Sequence, residues 1–238
     1  MHGMGYSEPE AGSDLAALRT RAMLEGQWVI NGQKIWTTTY WGRYMSLAAR
    51  TDGDSMPQHA CISMFIVPMD TPGISRKPAT TMYDGSFANI FYDDVRIPTA
   101  SIVGPVNGGW KVLTVALSNE RGLIGCGIVL KVAHGFELRC RDLRAAPALR
   151  DDVLAHNRIG QLAAEIEVGR RLIDPLRRAC RHGHHAAEIS AISKAFSGEL
   201  MERYGEAALW ACRDSSSNKR RWLAGHCPSM CKKCMPPP

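Results

Sequence analysis

From Gly5 to Asp14 the chain reads Gly-Tyr-Ser-Glu-Pro-Glu-Ala-Gly-Ser-Asp, and from Asn31 to Thr38 it reads Asn-Gly-Gln-Lys-Ile-Trp-Thr-Thr. The first run clusters small, turn-forming and hydroxyl residues. Segments of that kind leave backbone N–H groups exposed and suit an anionic or heteroaromatic ligand. The second places a tryptophan beside hydroxyls, with Asn31-Gly32 reading as a type I′ turn between Trp28–Ile30 and Gln33–Thr37. Ser7 and Ser13, taken singly, fit turn capping better than ligand binding, and Trp36 also fits an ordinary core aromatic.

A second set of chemically capable residues lies near the end. His226, Cys227, Cys231 and Cys234 are zinc-ligand types, but their spacing is irregular and no matching second half exists. His182, His184 and His185 read as a solvated loop between helices. No metal site is therefore assigned. Cys61, Cys126, Cys140 and Cys180 stand singly in apolar or helical stretches, as free thiols acting as small hydrophobes do.

The chain has 238 residues, 45% of them hydrophobic, and a net charge of +6. Beyond residue 212 six basic residues (Arg213, Lys219, Arg220, Arg221, Lys232, Lys233) face Asp214, which leaves +5 on the tail and +1 on everything before it. A near-neutral body argues against a nucleic-acid partner. Without a run of about eighteen apolar residues no membrane span is expected. With no signal-peptide pattern, the expected location is cytoplasmic.

The elements that position these residues fall into two kinds. Residues 1–105 read as β-rich, with strands at Ile62–Val67, Phe87–Phe91 and Asp94–Ile97, and Gly and Pro punctuating them as in a barrel or sandwich. From residue 106 to 211 the apolar period becomes helical: Trp110, Leu113 and Leu117 lead into Ile124, Ile128 and Val132. Ile159–Ile173 and Ile189–Leu200 mark two more helices, and such stripes pack into an up-down bundle. Residues 212–238 form a basic Cys/Pro-rich tail expected to be disordered. The fold class is α+β, a β-barrel or sandwich domain followed by a helical bundle.

The two opening runs, together with Ile62–Pro68, Pro72-Gly73-Ile74, Asp93-Asp94-Val95-Arg96-Ile97-Pro98 and Gly108-Gly109-Trp110, resemble the acyl-CoA dehydrogenase family over about residues 4–210. Several separate matches in the right order make the resemblance specific. It implies the family's middle β domain and part of its C-terminal helical domain, without the N-terminal helical domain. The abrupt composition change after Ala211 is read as the mark of a fragment or a frame error.

The resemblance implies FAD as cofactor and α,β-dehydrogenation of an acyl-CoA thioester in fatty acid metabolism. Electron-transfer flavoprotein would be the oxidant and a homodimer or homotetramer the assembly. Met4, Tyr6, Ser7, Ser13, Trp36, Thr37 and Thr38 are the implied flavin contacts, with Ser13 and Arg121 also meeting substrate. Glu10 stands where many relatives have glycine. Removing an α-proton needs a desolvated base and stabilised enolate charge. Asn119-Glu120-Arg121-Gly122 resembles the minority arrangement in which the base sits on the first long helix, which makes Glu120 the candidate. The majority use a later glutamate that has no counterpart here, and in that case Glu120 is a paired structural carboxylate. A flavin oxidase or monooxygenase on the same fold is the chemical rival. A non-catalytic remnant that binds partners through exposed helix faces is the rival of a different class.

Overall fold

The computed structural model describes residues 2–53, 57–81, 86–144, 152–182 and 187–213. Residues 214–238 of the proposed tail, His184, His185 and the four candidate zinc ligands lie outside them, whereas Cys212 and Arg213 close the last helix instead of opening a disordered tail. The chain divides into two compact units, Met1–Thr114 and Val115–Pro238.

The first unit is an eight-stranded sheet. Its strands are β1 (His2–Gly5), β2 (Arg21–Leu24), β3 (Trp28–Thr37), β4 (Tyr44–Arg50), β5 (Ile62–Pro68), β6 (Ile74–Thr80), β7 (Ser86–Ile97) and β8 (Ile102–Val103). They run in the order β6-β7-β3-β2-β4-β5-β8, with β1 paired in parallel to β4. Trp28 of β3 meets Phe65 of β5 edge to face, ring centroids 5.1 Å apart, although two strands separate β3 from β5 in the sheet. That contact requires the sheet to curl over its own core, as in a barrel. Alternate residues fill that core: Met45, Leu47 and Ala49 from β4, and Ile90 and Tyr92 from β7.

Two local expectations are corrected. Asn31-Gly32 is not a turn, because β3 runs through it without a break. The reversal between β2 and β3 lies instead at Glu25-Gly26-Gln27, where Gly26 has φ 72° and the Glu25 N–H donates to the Gln27 carbonyl. Nor are Phe87–Phe91 and Asp94–Ile97 separate strands. They are halves of β7, joined across a bulge where Asp93 and Asp94 oppose the single residue Asn31. The Asn31 amide fills that bulge, donating to Asp94 Oδ1 and accepting from the Asp94 N–H, both at 2.9 Å. Gly32 is there for space, since a Cβ would sit 2.6 Å from Thr20 Oγ1.

The second unit holds the rest of α1 (Gly109–Arg144), then α2 (Val153–Arg181) and α3 (Ala187–Arg213). Val129, Val132 and Ala133 of α1 pack with Leu162 and Ile166 of α2 and Leu200 of α3, which is the interlocked stripe that the helical period predicts. By length and composition alone, α1 is apolar enough over Gly109–Arg141 to cross a membrane; within the bundle its Val129, Val132 and Ala133 are buried. Gly122 and Gly125 let α3 approach closely through Ser190 and Ser193.

Candidate functional site: the loop after β1 and the bulge in β3

The segment after β1 is held against β3 by a buried charge pair. Lys34 is fully buried and Glu8 nearly so; Lys34 Nζ lies 2.7 Å from Glu8 Oε1 and also donates to the Tyr6 carbonyl at 3.0 Å. Glu8 Oε1 further accepts from the Thr20 hydroxyl at 2.6 Å and the Thr20 N–H at 2.9 Å, and Oε2 accepts from the Arg19 N–H at 2.6 Å. Every donor around the carboxylate thus has a partner, which a charge taken out of water requires. Burial alone would raise the Glu8 pKa, but the Lys34 ammonium and the surrounding donors outweigh it and hold Glu8 below its ordinary value. For Lys34 desolvation wins over the attraction of Glu8, and its pKa is pushed down to about 8.

Beyond Lys34 the strand bulges. Lys34 pairs with Ile90 and Thr37 with Ala88, so Ile35 and Trp36 together oppose the single residue Asn89. The Ile35 N–H leaves the ladder and donates to the Ser7 carbonyl at 2.9 Å. Trp36 takes φ 61°, an unusual conformation for a bulky residue. The bulge turns the indole outward, where it is 61% exposed and rests on Phe87. A core-aromatic role for Trp36 is thereby excluded. Bulges that re-aim a side chain, and backbone held at a sparse φ, are features that collect at functional sites.

The sequence-derived site residues separate by what they present. Met4 and Thr38 are exposed and Ser7 is half-buried. Tyr6 is buried with its carbonyl on Lys34, and Thr37 is buried with its hydroxyl on the Met4 carbonyl at 3.4 Å, so these two hold the loop in place. Ser13 is exposed further along the segment, beyond the bridge between Glu8 and Ala11. Glu10 points to solvent and pairs with Arg19 at 3.0 Å, which leaves the loop conformation independent of a glycine there. In the second unit Glu120 is half-buried and Arg121 exposed on α1. Among the described residues no group of His, Cys, Asp and Glu is arranged to hold a metal.

Glu8 and Lys34 were not singled out from sequence. The signal was available: Lys34 has the same strand parity as Trp28 and Ile30, and a lysine on an inward-facing position demands a buried partner.

Residues 3–95 match the family model for the acyl-CoA dehydrogenase middle domain, and residues 107–212 match that for its C-terminal domain. Acyl-CoA dehydrogenase FadE34 of Mycobacterium tuberculosis is 37% identical over 175 residues, covering 69% of this chain and 23% of its own length. Acyl-CoA dehydrogenase IpdE1 of the same organism is 38% identical over 159 residues, covering 65% and 40%. Among solved structures, the Tcur3481-Tcur3483 steroid ACAD superposes with a TM-score of 0.80 at 31% identity, covering 87% of this chain and 54% of that one. The matched region is thus well under two thirds of each relative's length. Two adjoining domain models in family order, over a fold that carries the loop and the bulged strand, place the chain in the acyl-CoA dehydrogenase family.

Proposed function

We propose that this chain is the flavin- and CoA-binding core of an acyl-CoA dehydrogenase acting by α,β-dehydrogenation of an acyl-CoA thioester. The observation that carries this reading is Trp36, exposed and held at a positive φ beside a loop whose carbonyls are tied back to β3. An outward indole, with the Ser7 backbone bonded to neighbouring Ile35 and Thr38 exposed two residues on, fits a planar, hydrogen-bonding heteroaromatic ring, and FAD is such a group.

FAD, when bound, supplies the acceptor for the hydride leaving the β-carbon. Met4, Ser7 and Thr38 orient the ring, Trp36 covers it and keeps water out, and Ser13 meets a phosphate of FAD or CoA. Arg121 binds CoA, and Glu120 takes the α-proton at its carboxylate. An acyl-CoA substrate, re-oxidation by electron-transfer flavoprotein and a homodimeric or homotetrameric assembly belong to the same proposal. So does a cytoplasmic setting.

A second reading, a non-catalytic member that binds partners, is favoured by one observation. Leu123 and Leu130, seven residues apart on α1, are 77% and 57% exposed, an apolar pair on one helix face.

A visible spectrum of the purified chain separates the two. A yellow, FAD-loaded protein whose flavin band bleaches with an acyl-CoA ester supports the enzyme. A colourless protein that takes up no added FAD supports the binding module. Because one relative is described as a steroid ACAD, the ester panel should include a steroid-derived acyl-CoA beside straight and branched chains.

A further inference from the structure

The buried pair that joins the loop to β3 does more than close a gap in the core. Peptide planarity makes a carbonyl and the following N–H point in opposite directions. Lys34 Nζ holds the Tyr6 carbonyl inward at 3.0 Å, so the Ser7 N–H of the same peptide must point away from Lys34. The next peptide is fixed as well: the Ser7 carbonyl accepts from Ile35, and the Glu8 N–H is used by the Ala11 carbonyl at 3.0 Å. Lys34 immediately precedes the bulge that presents Trp36. A single side chain therefore sets both the direction of the Ser7 amide and the register between Ser7 and Trp36. Glu8 holds that ammonium in place, and Thr20 and the Arg19 N–H hold Glu8.

We infer that Glu8 and Lys34 are positioning residues for the flavin: through the Tyr6 carbonyl they turn the Ser7 amide toward the ring that Trp36 covers. This rests on the proposal that FAD binds here. It adds that affinity for FAD depends on two residues that never touch it, Lys34 being fully enclosed and Glu8 nearly so.

The double variant Glu8→Gln/Lys34→Met tests it in the 238-residue chain. Both charges go together, so no lone buried charge remains, and the Gln oxygen still accepts from Thr20 or Arg19. The expected result is an FAD dissociation constant at least tenfold weaker, read by flavin fluorescence. The flavin band of the residual complex should also move back toward that of free FAD, while the urea midpoint stays near that of the unaltered chain. Thr20→Val, which removes only the 2.6 Å hydroxyl contact to Glu8, should weaken FAD binding a few-fold and carries the test if the double variant does not fold. FAD affinity and flavin spectrum unchanged in both variants would overturn the inference while leaving the flavin site standing. Failure of the unaltered chain to bind FAD would remove the underlying reading, and the inference with it.

Discussion

Trp36 and Phe87 lie with ring centroids 4.5 Å apart and planes tilted by 42°, so a residue forced outward by a bulge still has an aromatic floor beneath it. The contact is exposed, and an aromatic pair adds about 0.5–1.5 kcal/mol. Trp36→Ala should therefore lower unfolding free energy by no more than roughly that amount. If the indole covers a flavin, the same change should weaken FAD binding at least fivefold. Urea unfolding and FAD titration of one sample read both effects, and equal FAD affinity in the two proteins would take Trp36 out of the site.

Glu8 makes acid stability pH-dependent in a defined direction. Its folded pKa lies below the ordinary value of 4.5, so the stabilisation it gives is present above that pH and lost as pH falls through the folded value. The advantage of the unaltered chain over Glu8→Gln should shrink below about pH 4.5.

Lys34 acts in the opposite range. Its folded pKa is about 8 against 10.5, so between those values the unfolded chain binds more protons and folding gains with rising pH. Relative to Lys34→Met, the unaltered chain should become more stable from pH 8 to 10.5. At neutral pH Lys34→Met should cost about 3–5 kcal/mol, because Glu8 is left buried without its cation. Chemical denaturation across pH measures both slopes, and a flat difference between pH 8 and 10.5 would mean Lys34 is not desolvated as described.

Gly32 and Gly26 should respond differently to the same methyl group. Gly32→Ala drives a Cβ to 2.6 Å from Thr20 Oγ1 at φ 146°, and overpacking with backbone strain should cost roughly 2–4 kcal/mol. Gly26→Ala at φ 72° meets nothing within 4 Å and should cost about 1–2 kcal/mol from conformation alone. Urea midpoints at unchanged m-value test the order. The reverse order would mean that Gly32 does not approach Thr20 as closely as described.

On the proposed chemistry, Glu120→Gln should slow substrate-dependent flavin bleaching by about 10²–10⁴-fold without changing FAD affinity. A bleaching rate that survives the substitution assigns the base elsewhere.

Motif order placed the loop, Trp36 and the change from strand to helix, because each rests on residue types that tolerate few alternatives. Local register was harder to read. Asn31-Gly32 satisfies the chemistry of a hairpin turn, and only its tertiary partners, Asp94 and Thr20, show that it serves a bulge instead. The alternation of β4 escaped notice because Ala48 and Ala49 blur it, both being buried. Lys34 was legible by parity, but its meaning depended on Glu8, which lies 26 positions earlier.

The reciprocal bonding of Asn31 with Asp94 ties the sheet to the chemical age of the molecule. Hydrolysis of that amide, in an asparagine followed by glycine, would remove the donor and set a second carboxylate against the first. The damage would open the seam between β3 and β7, the two strands that carry Trp36 and its supporting ring, so old protein should lose its hold at this seam while the helical unit is still intact.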